Sequence, residues 1–239
     1  VSEHLVDGGL GWMLRFVEMR AGSLGLAEEA EMKVVLYGAS GMIGSRVLQE
    51  LVGRGHQVTA VVRNPEKVTS AGVKVVKGDV TNPTSVAITA KGAEAAISAY
   101  SPPAEDVQAI VPAARALLAG LATAGVKRLI VVGGAGSLEV APGVQLVDTP
   151  HVPEQWKGIA RAHRDVLPVL KDSNLDWSYL SPAAFIQPGE RTGKFRLGGT
   201  QLVTDEKGES RISVEDYAIA LVDELEKPKH LRRQFTMGY

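Results

Sequence analysis

The 239-residue sequence contains no cysteine. Disulfides, thiolate metal sites, cysteine nucleophiles and iron–sulfur clusters are excluded together, and a reducing compartment fits the composition. Charge of one sign is equally scarce. Twenty-six Lys and Arg against 27 Asp and Glu leave −1 at neutral pH, too little for bulk attraction to nucleic acid or anionic membranes. No uninterrupted apolar run approaches the roughly 18–20 residues that span a bilayer. The motif H-E-x-x-H is absent, and His4, His56, His151, His163 and His230 show no metal-ligand spacing. The G-x-S-x-G elbow of a hydrolase is missing too. The expectation is a cytoplasmic protein, monomer or homodimer, whose partner is a small-molecule acceptor rather than nucleic acid, membrane or metal.

What is present is a chain 45% hydrophobic and 22% charged, long enough for a sizeable core in one α/β domain. Residues 1–31 read differently from the rest. They carry Glu3, Asp7, Glu18, Glu28, Glu29 and Glu31 against Arg15 and Arg20, and Arg15 and Glu18 break the one apolar stretch. That pattern fits neither a secretory signal nor a transit peptide. An N-terminal extension is expected there, with the domain beginning at Met32.

From Met32 strands and helices alternate. Short β-branched runs predict strands at 33–38, 55–63, 73–79, 93–98, 127–134 and 175–181. Helical spacing predicts helices at 42–54, 106–124 with Gly125 as C-terminal cap, and 154–171. Such alternation means βαβ units, hence a Rossmann-like, doubly wound parallel sheet in a single domain, 32–239. Past Ser181 the pattern loosens into a small excursion beside the sheet, read as short hairpin strands within 195–210. An amphipathic helix follows, capped by Ser213 and Asp216 and ended by Pro228, and "RQFTMGY" is read as a final edge strand.

Gly38, Gly41 and Gly44 form G-x-x-G-x-x-G between the first strand and the first helix. One glycine permits the sharp turn, one lets backbone approach a pyrophosphate, and one lets helix pack on strand. Free N–H groups of the helix N-terminus, at Met42, Ile43 and Gly44, then face the phosphates, with the Ser40 hydroxyl beside them. An NAD-binding domain places an acid about 20 residues further on; here the slot holds Val62, followed by Arg63. A guanidinium grips a 2′-phosphate where a carboxylate would repel it, so NADP(H) is favoured over NAD(H), an ordinary solvated arginine being the plain alternative. Asp79 and Val80 end the third strand, placed to meet the adenine. Ser98, Ala99 and Tyr100 end the fourth, beside the dinucleotide.

The acid/base device of short-chain dehydrogenases, Y-x-x-x-K, is absent: none of the five tyrosines has a lysine four positions on. Where that pair belongs, "PEQWKGIARAHRDVL" offers Trp156 and Lys157. A conventional alcohol dehydrogenase or epimerase mechanism is therefore disfavoured. "MKVVLYGASGMIGSRVLQELVGRGHQVTAVVRNPEKV", "SPAAFIQPGERTGKFRLGG" and "SRISVEDYAIALVDELEKPKHLRRQFTMGY" together resemble the atypical short-chain group of NADH-flavin reductases, related to biliverdin reductase B and NmrA-like proteins. The resemblance spans 32–239 and implies a bound nicotinamide dinucleotide with flavin, quinone or similar acceptors. FMN or FAD would then be substrates rather than tightly held groups. It also leaves Lys157 as a candidate catalytic residue, since members often carry Tyr-Lys where Trp156-Lys157 stands. A non-catalytic NADP(H) sensor of NmrA-like type is the second reading, and an epimerase or dehydratase relative the third.

Other candidates follow from position. Ser137, in the glycine-rich stretch after the fifth strand, stands where the parent family keeps a catalytic serine; the plainer reading is a loop with Gly133 that admits the nicotinamide. Pro182 follows the sixth strand and is expected at the nicotinamide end. Phe185 can stack on a flat acceptor or simply fill the core. Trp156 is placed on the substrate side. Glu190, Arg191 and Lys194 can approach an anionic group, with a solvated turn as the default.

Overall fold

A computed structural model of the chain describes residues 31–239; the extension expected at 1–31 lies, but for Glu31, outside the described residues. In chain order the strands and helices begin with β1 (Lys33–Tyr37), α1 (Met42–Gly53), β2 (Gln57–Val62), β3 (Lys74–Lys77), α2 (Pro83–Thr89) and β4 (Ala95–Ser98). Then come α3 (Ile110–Ala124), β5 (Arg128–Val132), β6 (Glu139–Ala141), β7 (Val144–Gln145), α4 (Glu154–Arg164) and α5 (Val166–Lys171). The last are β8 (Asp176–Ser181), β9 (Phe185–Gln187), β10 (Arg196–Gly198), β11 (Arg211–Ser213), α6 (Val214–Glu226) and β12 (Arg233–Gly238).

Eight strands form one sheet in the order β10-β12-β8-β5-β4-β1-β2-β3, parallel throughout except where β10 runs antiparallel to β12. Alternation along each strand divides the interior into two cores. Val34 and Leu36 of β1 face Val47, Leu48 and Leu51 of α1 and Tyr217, Leu221 and Leu225 of α6. Val35 and Tyr37 face the other way, onto Val86 of α2, Leu117 and Leu121 of α3 and Leu170 of α5. Both faces of the sheet are covered, which is why the strands read as continuous apolar runs. Strand order reverses between β1 and β4, so a crevice opens beyond their carboxyl ends.

Several local features differ from the sequence expectations. The helix expected over 154–171 breaks at Asp165, because Pro168 has no N–H for the Arg164 carbonyl and its ring crowds that turn. Over 106–124, a 3-10 turn with non-helical Asp106 precedes α3, and Gly125 caps it in the left-handed conformation as expected. The short α2 goes beyond the expected set; Asn82 caps it, its side chain accepting from the amides of Thr84 and Ser85, with Pro83 at the first turn. The segment read as an edge strand, β12, lies inside the sheet between β8 and β10. The expected hairpin past Ser181 is instead two long-range pairings: β9 with β11 in parallel, and β10 with β12. Ser213 caps α6 as expected, accepting from Asp216 N at 3.0 Å. Among the described residues one helical stretch, Ala104–Ala124, is long and apolar enough by length and composition to cross a membrane, against the expectation from uninterrupted runs. In this fold its residues Ile110, Ala113, Leu117 and Leu121 are buried in the core on that side of the sheet.

Candidate functional site

At the crevice the chain leaves β1 through Gly38, whose φ of +80° is left-handed and favours glycine. A Cβ on Gly38 would also strike the carbonyl of Ala99, and one on Gly44 would strike the carbonyl of Gly38. β1, β4 and α1 therefore meet with no space for side chains between them. Gly41 occupies the N-cap of α1 without a side-chain hydrogen bond, so the first-turn amides keep their donors for an external acceptor. Ser40 and Gly41 are exposed at the mouth.

A groove of about 310 Å³ runs from these glycines along the ends of β2 and β3, lined by Val62, Arg63, Asp79, Val80, Ala99 and Tyr100 among others. Arg63 is exposed on its rim, and its charge reaches both Asp79 and the Tyr100 phenol. The Thr81 hydroxyl and amide donate to Asp79 at 2.7 and 2.9 Å; with Arg63 nearby they hold its carboxyl below the usual range. Burial raises the pKa of Tyr100 despite Arg63. Anionic Asp79 thus keeps Arg63 company but leaves its donors free for a ligand, as no ion pair joins the two among the described residues.

A larger cleft, about 1100 Å³, adjoins the groove at the start of α1, where Gly41 lines one and Met42 the other. Pro182, Ala183 and Phe185 after β8 form one part of its lining, and Gly134 and Ala135 after β5 another. A face of α4 supplies Trp156, Ile159, Ala160 and His163, spaced three, four and seven positions apart. Trp156 and Phe185 are 58% and 68% exposed, unusually open for aromatic side chains in a chain so poor in them. His163 is half-buried on this face. Its Nδ1 is sealed from solvent without a hydrogen-bond partner, and burial lowers its pKa to about 4, so the imidazole is neutral at pH 7.

The family model described as NAD(P)H-binding matches residues 38–228, which contain the cleft lining and all of the groove lining except Tyr37. The chain belongs to this NAD(P)H-binding family. YwnB of Bacillus subtilis is 41% identical over 210 residues, covering 86% of this chain and 98% of its own. A solved structure from Bacteroides thetaiotaomicron named a "putative epimerase" is 44% identical, with a TM-score of 0.82 over 88% of this chain and 98% of its own. Another from Streptococcus pneumoniae, named a "putative NADH-flavin reductase", is 36% identical, with a TM-score of 0.78 over 87% of this chain and 99% of its own. One from Burkholderia pseudomallei, named a "putative exported protein", is 50% identical, with a TM-score of 0.80 over 87% and 100%.

The close-packed glycines and the uncapped helix fit the pyrophosphate that such a cofactor carries. Of the residues singled out by sequence, Gly38, Ser40, Gly41, Arg63, Asp79, Val80, Ala99 and Tyr100 line the groove; Met42, Trp156, Pro182 and Phe185 line the cleft. Others lie elsewhere. Ile43 packs against the core, and Gly44 is buried under Gly38. Ser98 lines a small internal cavity with His163 rather than the groove. Gly133 sits against the Tyr179 ring, where any Cβ would collide, and its neighbour Gly134 reaches the cleft instead. Ser137 is buried and accepts a hydrogen bond from Gln234 Nε2 at 2.8 Å, which makes it a tie between the turn after β5 and β12 rather than a cleft residue. Lys157 does not line the cleft; its Nζ pairs with exposed Glu154 at 2.9 Å. Arg191 binds Glu50 at 2.8 Å, tying the loop after β9 to α1. Sequence reasoning passed over His163 and Gly134. The signal for His163 was its place seven residues after Trp156, on the same helical face.

Proposed function

We propose that the protein is an NADPH-dependent reductase that passes hydride to a small planar acceptor held in the cleft. The observation that carries this reading is the junction of groove and cleft at the N-terminus of α1. The glycine cradle and Arg63 would hold a dinucleotide's phosphates, and Met42, Gly134 and Pro182 of the adjoining cleft would hold its nicotinamide. The name carried by the 36% identical Streptococcus relative points the same way.

When bound, the nicotinamide supplies the hydride, two electrons with one hydrogen. The chain contributes binding and alignment. The α1 amides and Arg63 fix the phosphates, the small residues Gly134 and Ala135 leave room for a ring, and Trp156 and Phe185 offer flat apolar surface for a second ring. Among the described residues lining the cleft there is no phenol–ammonium pair, and Lys157 is paired with Glu154. This lining suits an acceptor that is already electrophilic and takes its proton from water, as quinones and isoalloxazines do. That preference separates the reading from carbonyl reduction and from epimerisation.

The test is NADPH oxidation on adding menadione, riboflavin or FMN. Steady oxidation proportional to protein concentration supports the reductase. Tight NADP+ binding with no turnover across that panel instead supports a sensor that reports the dinucleotide's state to a partner.

A further inference from the structure

The cleft's charge pattern narrows the acceptor beyond its shape. Among the described residues lining it there is no lysine and no arginine; its ionisable groups are Glu139, His151 and the neutral His163. Arg161 and Lys207 flank lining residues without lining the cleft, and other cations nearby are committed elsewhere. Lys157 pairs with Glu154, Arg164 with Asp148 and Asp165, and Arg211 with Asp205 and Glu209. The N-terminus of α4 begins at the cleft with Pro153, and its first turn already carries the carboxylate of Glu154. The groove is built the opposite way, with Arg63 and the uncapped amides of α1. Phosphate recognition is thus concentrated on the cofactor side, and an anion in the cleft meets Glu139 and apolar surface.

We propose that the cleft selects an uncharged planar acceptor, a neutral quinone or an unphosphorylated isoalloxazine, and discriminates against phosphorylated flavins and other anionic rings. This rests on the cleft being the acceptor site. Riboflavin and FMN share one ring and differ in a phosphate, so their comparison isolates charge. Menadione and its ring sulfonate add a second pair, in which the sulfonate also makes the quinone the stronger oxidant, so a preference for menadione would run against driving force.

With NADPH saturating, kcat/KM for riboflavin is expected to exceed that for FMN by tenfold or more, and menadione to exceed its sulfonate likewise. Equal values, or a preference for the anionic member, would overturn the proposal. A binding readout keeps this separate from the question of turnover. In the NADP+ complex, riboflavin should quench Trp156 fluorescence at concentrations at least tenfold below FMN, with Trp156→Phe as control for Trp12 and Trp177. If neither acceptor is reduced, the reductase reading fails, while the quenching ratio still decides the charge preference. Glu139→Lys should bring the FMN and riboflavin values together, and an unchanged ratio in that variant would count against the charge argument.

Discussion

Replacing Gly44 by alanine tests the cradle where its geometry is tightest. The new Cβ would lie 2.8 Å from the carbonyl carbon of Gly38 and nearer still to its oxygen, whereas ordinary contact begins at 3.4 Å. The obstacle is backbone on a turn already fixed by Gly38 at φ +80° and by the amide of Gly41, which donates to the Gly38 carbonyl at 3.0 Å. Neither partner can rotate aside, so α1 must withdraw from β1 by more than half an ångström. Overpacking of this kind costs about 1–3 kcal/mol of stability. Since the first-turn amides of α1 move with the helix, cofactor affinity should fall by roughly tenfold or more, about 1.4 kcal/mol per decade. Urea unfolding and an NADPH titration measure the two effects. Gly53→Ala is the matched control: it ends the same helix with nothing within 4 Å, and should gain roughly 0.5–1 kcal/mol from helix propensity while leaving affinity unchanged. A Gly44→Ala protein as stable as the parent, with unaltered NADPH binding, would refute the close-approach argument.

Arg63→Ala should weaken NADPH by roughly 10- to 100-fold, the worth of about 1.5–3 kcal/mol for a charge-assisted contact, with little change for NADH; equal loss for both cofactors in parallel titrations would remove Arg63 from phosphate recognition. His163 should give the fold an acid-sensitive component. Its folded pKa of about 4 lies below the ordinary 6.5, so the unfolded chain binds the extra proton between those values. Stability from this group is complete above pH 6.5 and declines as pH falls toward 4, amounting to about 2 kcal/mol between pH 7 and 5. His163→Leu should flatten that part of the urea-midpoint profile, and an unchanged slope would show that the imidazole is solvated in the fold.

The fold was legible because its sheet is buried on both faces: runs such as "VVLY" and "LIVV" declare strands without needing alternation. The glycine cradle was legible because the left-handed turn at Gly38 and its contact with Gly44 are set within seven residues, even though the Ala99 carbonyl that also crowds Gly38 comes from a distant strand end. What escaped the sequence depends on distant partners. β12 looks like an edge strand until β10, some 40 residues earlier, is seen to cover it. Ser137 carries a nucleophile's side chain, but a hydrogen bond from Gln234, 97 positions away, gives it a structural task. The family resemblance left Lys157 as a candidate catalytic residue, yet one helical turn places Glu154 beside it, away from the cleft lining. Conversely α2 could have been found, since Asn82-Pro83 is a helix start written in adjacent residues.

The central claim is that reduced dinucleotide in the groove delivers hydride to a ring in the cleft. A single-turnover experiment tests it most directly: protein mixed with one equivalent of NADPH, then with excess menadione, following the reduced-nicotinamide absorbance. The account predicts complete loss of that absorbance, formation of one equivalent of menadiol, and marked slowing in Trp156→Ala. NADPH that stays bound and reduced beside excess quinone would contradict it.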